Sequence, residues 1–338
     1  MKTNEGVEMP TGHKRVTIGI PSYNEEENIS NLVRSIIEHN KLENQSANHD
    51  HAIRNRDKEG DRNTSKNKGI NSTKDFAISE IIISDDSTDL TRSIVEGIAA
   101  EYSSVNIKVL HHDIRRGVSA AWNEIFEGAK GDIIVLYDAD IKIDNNTTAY
   151  LVESIRDGIG LCASNTKPVV IKKSTVSRAS KFIAEWLRSV RKNRLSHYTV
   201  MGRALSVSSR VAKEITIPEN VIALDLYLQC KVLELGFEVL YNDHAVVYFR
   251  PPDNMEDFSS QIIRATNGHK QIQNMQTGVC ARLPFRIGVI AALKNIMKDP
   301  GGAVSLICCY LLVPLYRTKL TDIDSARWHI AKSTKRLA

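Results

Sequence analysis

No uncharged apolar run in this 338-residue chain is long enough to cross a membrane as one helix. Gly301 to Tyr316 carries no charge, but its 16 residues fall short of the ~20 that span hydrocarbon, and Pro314 would disturb a helix there. Cysteine is sparse and unpatterned: Cys162, Cys230, Cys280, Cys308 and Cys309 are odd in number and lack metal-ligand spacing. A disulfide framework and a zinc module are thereby excluded, and a reduced, cytosolic chain is the expectation. Met1 to Arg15 has no apolar core of the secretory kind, so no signal peptide is expected. Residues 40–75 offer only Leu42, Ala47, Ala52, Ile53 and Ile70 as apolar side chains. That is too little burial to offset ordering entropy, and the stretch is predicted to be a disordered insertion. His49 and His51 within it read as solvated loop residues, with no Cys or further His nearby.

The charge is uneven. The net +5 arises in residues 282–338, which hold ten Lys and Arg against three Asp and Glu. The basic character belongs to the tail and suits an anionic surface; no nucleic-acid partner is expected. The rest of the chain alternates apolar runs with helical patterns. Val16 to Ile20 leads into Pro21-Ser22-Tyr23-Asn24-Glu25-Glu26, and Ile81 to Ser84 into Asp85-Asp86-Ser87-Thr88-Asp89. Ile29, Leu32, Val33 and Ile36, then Leu90, Ile94, Val95 and Ile98, follow at spacings of three and four. Strand then helix, repeated, predicts parallel strands whose loops share one edge. The buried run Ile133 to Tyr137 ends in Asp138-Ala139-Asp140, at the strand end where open α/β sheets bind ligands. Two crowded carboxylates repel unless a cation lies between them, and Mg²⁺ typically takes one or two carboxylates plus substrate phosphates. A helix N-cap explains any one of these acidic clusters, but not three on one rim.

Taken in order, Pro21 to Glu25, Asp85 to Thr91, Gly117 with Asn123, and Asp138-Ala139-Asp140 resemble the motifs of family 2 glycosyltransferases. The resemblance spans about residues 14–275 apart from the insertion. It implies an α/β, GT-A fold (a Rossmann-like mixed sheet flanked by helices) and inverting transfer from a nucleotide-diphosphate sugar. It also implies nucleotide-sugar contacts from Pro21, Tyr23, Glu25, Asp85 and Asp138, and a Mn²⁺ or Mg²⁺ ion on Asp138 and Asp140. His244, at a strand boundary, is a candidate third ligand or a structural hydrogen-bonder. Gly202 and Arg203 fall where family members line the acceptor pocket; Arg203 is equally readable as a solvated surface residue. Leu224-Asp225 stands where relatives carry Glu-Asp, which makes Asp225 the candidate base; a carboxylate stabilised by the helix dipole is the alternative. Gln261-Ile262-Ile263-Arg264-Ala265 is similar to a Q-x-x-R-W motif with the tryptophan lost. Processive extension is therefore not expected, while Arg264 remains a candidate diphosphate contact.

The predicted organisation is a flexible N-terminus at 1–13, the GT-A domain at 14–275 with its insertion at 40–75, and a basic, apolar helical tail at 276–338. Phe182, Ile183, Trp186, Leu187 and Val190 form a stripe that suits either the core or a membrane surface, with Arg178, Lys181, Arg188, Arg191 and Lys192 around the rest of the helix. The tail suits either a buried helix or interfacial docking, because Lys294, Lys298, Arg317 and Lys319 flank its apolar stretch. A cytoplasmic protein, peripheral at the membrane face, with a glycan or lipid-linked acceptor is the resulting expectation. Three rival readings come from other classes. A haloacid dehalogenase-type phosphatase needs its acid pair on the first strand. A sugar-phosphate nucleotidyltransferase needs a glycine-rich basic loop where Pro21 to Glu26 is acidic. A catalytically silent homologue that binds nucleotide sugars or acts as a scaffold stays open because of Leu224 and Ala265.

Overall fold

The computed structural model describes residues 14–39, 76–192, 202–275, 285–317 and 332–335. The insertion at 40–75, the N-terminal 1–13, Tyr198 to Met201 and Cys280 lie outside the described residues.

Eight strands form one mixed sheet in the order β3-β2-β1-β4-β7-β6-β8-β5. They are β1 Lys14–Ser22, β2 Phe76–Asp85, β3 Ile107–His111, β4 Ile133–Tyr137, β5 Ile141–Ile143, β6 Ile159–Pro168, β7 Ala204–Ser208 and β8 Glu238–Phe249. β3, β2, β1 and β4 are mutually parallel, and β7 runs antiparallel to β4. The carboxyl ends of the parallel strands and the amino end of β7 therefore meet on one rim. The sheet is buried on both faces. Ile81, Ile83, Val135 and Tyr137 pack into one core with Ile29 and Leu32, whereas Ile82, Ile134 and Leu136 enter the other with Trp122 and Ile125. Alternate residues serve opposite faces because strand side chains have a period of two. Each fully buried aliphatic or aromatic side chain contributes roughly 1.5–3 kcal/mol.

The helices follow the apolar spacing: α1 over 29–39, α2 Thr91–Glu101, α3 Val118–Gly128, α4 Thr147–Ser154, α5 Thr175–Lys192, α6 Ser209–Ala212, α7 Leu224–Glu234, α8 Met255–Asn274, α9 Phe285–Lys298 and α10 Pro300–Arg317. α8 crosses the start of α7 so closely that a Cβ on Gly268 would lie 2.7 Å from that of Ala223. Glycine permits the approach.

The structure departs from the sequence reading in β8 and at Arg191, and it decides an open alternative in α5. The two short strands predicted from Phe237 to Phe249 are one strand, β8, with an irregularity where it advances from Tyr241 to Val246 against β6. The apolar stripe of α5 is largely taken up by packing. Phe182 is buried, Ile183 packs against a cluster containing Phe258, Cys309 and Val313, and the Trp186 indole donates to the Gly288 carbonyl at 3.2 Å. Arg191, which the sequence sets off that stripe, is 1% exposed. One of its nitrogens donates to Thr166 Oγ1 at 3.2 Å, and burial pushes the guanidinium down to about 10.

The tail is a helix pair bent by 117°. The bend has a local cause. Pro300 has no N–H, so it suits a first helical turn, and Asp299 accepts from Gly302 N at 2.8 Å as an N-cap would. The same carboxylate oxygen pairs with Arg178 of α5 at 2.8 Å. α10 continues through Pro314. Among the described residues, no single helix is long and apolar enough to cross a membrane.

Candidate active site

The rim begins at the end of β1. Pro21 is still paired, opposite Ser84, and the chain then turns through Asn24, whose φ of 54° is left-handed. Asparagine tolerates that region because its short amide bonds locally. Here Asn24 Oδ1 accepts from Thr88 N at 2.8 Å, and Asn24 N donates to Ser87 Oγ at 2.8 Å. Glu25 N donates to Thr91 Oγ1 at 2.8 Å. The first two motifs are thus zipped together, and the hydroxyls of the second fix the backbone of the first. Glu25 keeps its carboxylate for Asn28 Nδ2 at 3.0 Å and Lys335 Nζ at 2.7 Å. Burial and Asp140 raise the Glu25 carboxyl above its ordinary range, and Lys335 opposes them.

Asp85 is fully buried at the end of β2. Its two oxygens accept from Ser22 Oγ at 2.6 Å and from Ser87 Oγ, and meet His111 Nδ1 at 2.8 Å. These contacts tie the ends of β1, β2 and β3 to one carboxylate. Asp86 accepts from the backbone of Arg116 and Gly117 at 2.7 and 3.1 Å, which fixes the loop after β3. That loop lays the Arg115 guanidinium over the Tyr23 ring, 3.9 Å from its centroid. Asn123 serves elsewhere, exchanging two hydrogen bonds with the backbone of Ile217.

At the end of β4 the D-x-D pair meets a cation from its own chain. Arg203 Nη1 lies 3.1 Å from Asp140 Oδ1 and 3.7 Å from Asp138 Oδ2, and its guanidinium covers the Phe249 ring at 4.4 Å. Asp138 N donates to Arg203 O at 2.8 Å, which continues the β4–β7 ladder past the strand ends. Burial, then Asp140, pushes the Asp138 carboxyl up to about 7, against the pull of Arg203 and Arg264. Next along the chain, Gly202 N donates to Asp225 Oδ2 at 3.1 Å. A Cβ on Gly202 would lie 3.1 Å from that of Asp225, so the turn leaves little room beside this carboxylate. Asp225 sits in the first turn of α7 and accepts from Leu226 N with its other oxygen. Arg264, on α8, joins the same electrostatic group. Burial and Arg203 lower its pKa, while Asp225, Asp138 and Asp140 hold it up.

The structure therefore brings together Asp138, Asp140, Arg203, Gly202, Asp225 and Arg264, with Glu25 coupled to them through Asp140. His244 is not among them. It is exposed on β8, with its ring 5.5 Å from that of Tyr150. The described residues contain no group of three or more His, Cys, Asp or Glu able to hold a metal. Arg203, read as an acceptor contact, instead faces the acid pair. Two aspartates sharing one guanidinium, with Asp138 protonated more readily than usual, suit a hard cation that completes its shell with phosphate oxygens. The residues fit such an ion.

Two further side chains meet the first motif. Arg115 has a signal in the sequence, since the basic pair Arg115-Arg116 begins four residues past the end of β3. Lys335 has none, because nothing in a basic run fixes where it docks.

Residues 67–204 match the profile described as Glycosyl transferase family 2. Among curated proteins, the chain is 22% identical over 206 residues to the probable glycosyltransferase YdaM of Bacillus subtilis (strain 168), covering 57% of this chain and 48% of that one. It is 26% identical over 144 residues to a dolichol-phosphate mannosyltransferase of Pyrococcus furiosus, covering 43% and 31%. The chain thus spans about half, or less, of the length of these relatives. Among solved structures, the mannosyltransferase PcManGT from Pyrobaculum calidifontis, in complex with GDP-Man and Mn²⁺, superposes with a TM-score of 0.54 at 16% identity, over 94% of this chain and 86% of that one. At that identity the likeness establishes the fold.

Proposed function

We propose that this chain, a member of glycosyl transferase family 2 with the GT-A fold, transfers a sugar from a nucleotide-diphosphate donor to an acceptor hydroxyl or phosphate with inversion. The observation that carries the reading is the convergence of an acid pair, two arginines and a separate carboxylate, Asp225, on one rim. Asp138 and Asp140 would hold a Mn²⁺ or Mg²⁺ ion, which when bound supplies positive charge to the leaving diphosphate. Arg203 and Arg264 stabilise the same oxygens as their charge grows. Asp225 accepts the proton of an attacking hydroxyl. The new bond forms at the anomeric carbon, and the bond to the diphosphate oxygen breaks with its electron pair. A phosphate acceptor is already ionised and needs no such base. Tyr23, Glu25 and the turn they share would hold the nucleoside, with Asp85 acting from behind as the anchor of that turn.

A lipid-linked acceptor is favoured by the tail. Phe285, Ile290 and Leu293 of α9 and Ile307, Leu311 and Leu315 of α10 are exposed. Lys294 and Lys298 stand on the same pair of helices, which suits an anionic membrane surface. The named activity of the Pyrococcus furiosus relative points the same way. Thermal-shift screening of UDP-, GDP- and dTDP-sugars with Mn²⁺ tests the donor, since a ligand that binds the native state raises its melting temperature. Failure of every nucleotide sugar to do so, with or without metal, would remove the transferase reading.

A further inference from the structure

We infer that the C-terminal segment at Lys335 is part of the donor site, with Lys335 as the positioning residue for the turn that receives the nucleoside diphosphate. The inference rests on the donor reading of that turn.

The segment is docked from two sides. A short helical turn, Lys332–Thr334, places Ser333 against the start of α8. Ser333 N donates to Asp257 Oδ2 at 2.9 Å, and Asp253 N donates to Ser333 Oγ at 3.4 Å. On the other side Asn28 Nδ2, at the start of α1, donates to the Lys335 carbonyl. The segment thereby bridges the first motif and α8, the helix that carries Arg264.

An ammonium has three N–H groups. Lys335 Nζ donates to Tyr23 O at 3.1 Å, to Asn24 O, and to Glu25 Oε1 at 2.7 Å. All three are used, on three consecutive residues of one turn, so Lys335 acts through that turn and not on the donor directly. The turn needs a clamp because Asn24 sits in the left-handed region, a conformation that persists only where the surroundings fix it. It also needs the charge. Glu25 lies close enough to Asp140 for the two carboxylates to repel, and a diphosphate adds further negative charge at the same place. Lys335 is the cation paired with Glu25.

Calorimetric titration of UDP and of GDP in the presence of Mn²⁺ tests this on four full-length proteins: wild type, Lys335→Met, Glu25→Gln and the double variant. Lys335→Met should weaken the nucleotide that binds roughly tenfold. In the Glu25→Gln background the same substitution should cost much less, because contacting residues are not additive. Three results would overturn the inference: wild-type affinity in Lys335→Met, tighter binding (which would make the segment an obstruction), or an undiminished loss in the double variant. Lys335→Gln serves as the second variant if Met lowers stability, and should lie between wild type and Met. Wild type that binds neither nucleotide would instead defeat the donor reading beneath the inference.

Discussion

Arg203 stands between the two aspartates of the D-x-D pair, 3.1 Å from Asp140 and 3.7 Å from Asp138. The guanidinium holds the oxygens that a divalent cation would take. On the proposed reading, a cation held by the pair would compete with Arg203 for these oxygens.

Arg203→Met should accordingly tighten Mn²⁺ binding to the nucleotide-free protein several-fold, because the competing cation is gone. Transfer should nevertheless slow by roughly 10–100-fold, the worth of about 1.5–3 kcal/mol for a hydrogen bond to a charged group. Mn²⁺ titration and initial rates read the two effects separately. Unchanged Mn²⁺ affinity would mean that the arginine and the metal do not compete.

Asp225→Asn keeps the size of the side chain and one of the two oxygens that accept from Gly202 N and Leu226 N, but removes proton acceptance. The rate with a hydroxyl acceptor should fall by about 10²–10⁴-fold, with donor affinity within about twofold of wild type. An unaltered rate would leave Asp225 as a support for the Gly202 turn.

The Asp138 carboxyl, pushed up to about 7 by burial and by Asp140, compares with ~3.9 in an unfolded chain. Between those values the native state binds a proton that the unfolded state does not. Stability therefore falls as pH rises through this window, and the cost is complete above about 7. In chelator, the melting temperature should drop between about pH 5 and about pH 8 more in wild type than in Asp138→Asn. Mn²⁺ affinity should rise across the same interval, as the metal displaces the proton. A Mn²⁺ affinity independent of pH would argue against Asp138 as a ligand.

Flotation with anionic liposomes at low salt should recover the protein, and high salt or neutral lipid should reduce recovery. Leu293→Glu with Leu311→Glu, both exposed, should abolish flotation without lowering the melting temperature. Equal recovery from that variant would remove these helices as the docking surface, and failure of wild type to float would point to a soluble acceptor.

Much of the sheet was legible because its physics is local. The β4 run Ile133 to Tyr137 and the helical face of Ile29, Leu32, Val33 and Ile36 are where period and burial place them. The rim followed from parallel order alone, and it gathers Glu25, Asp138 and Asp140. What depended on tertiary context was not legible. His244 sits near a strand boundary in sequence, yet its ring packs on Tyr150. Arg203 follows a glycine in an open-looking turn, yet the antiparallel arrival of β7 carries it onto the acid pair. Lys335 reaches Tyr23 across the whole length of the chain, a contact that no spacing rule encodes.

The rung from Asp138 N to Arg203 O, with the bond from Gly202 N to Asp225 one residue before it, makes the span from the acid pair to Asp225 a fixed length of backbone. The chain that intervenes between β4 and β7 does not set that span. Lengthening or exchanging that intervening chain should therefore leave the separation between the acid pair and Asp225 unchanged.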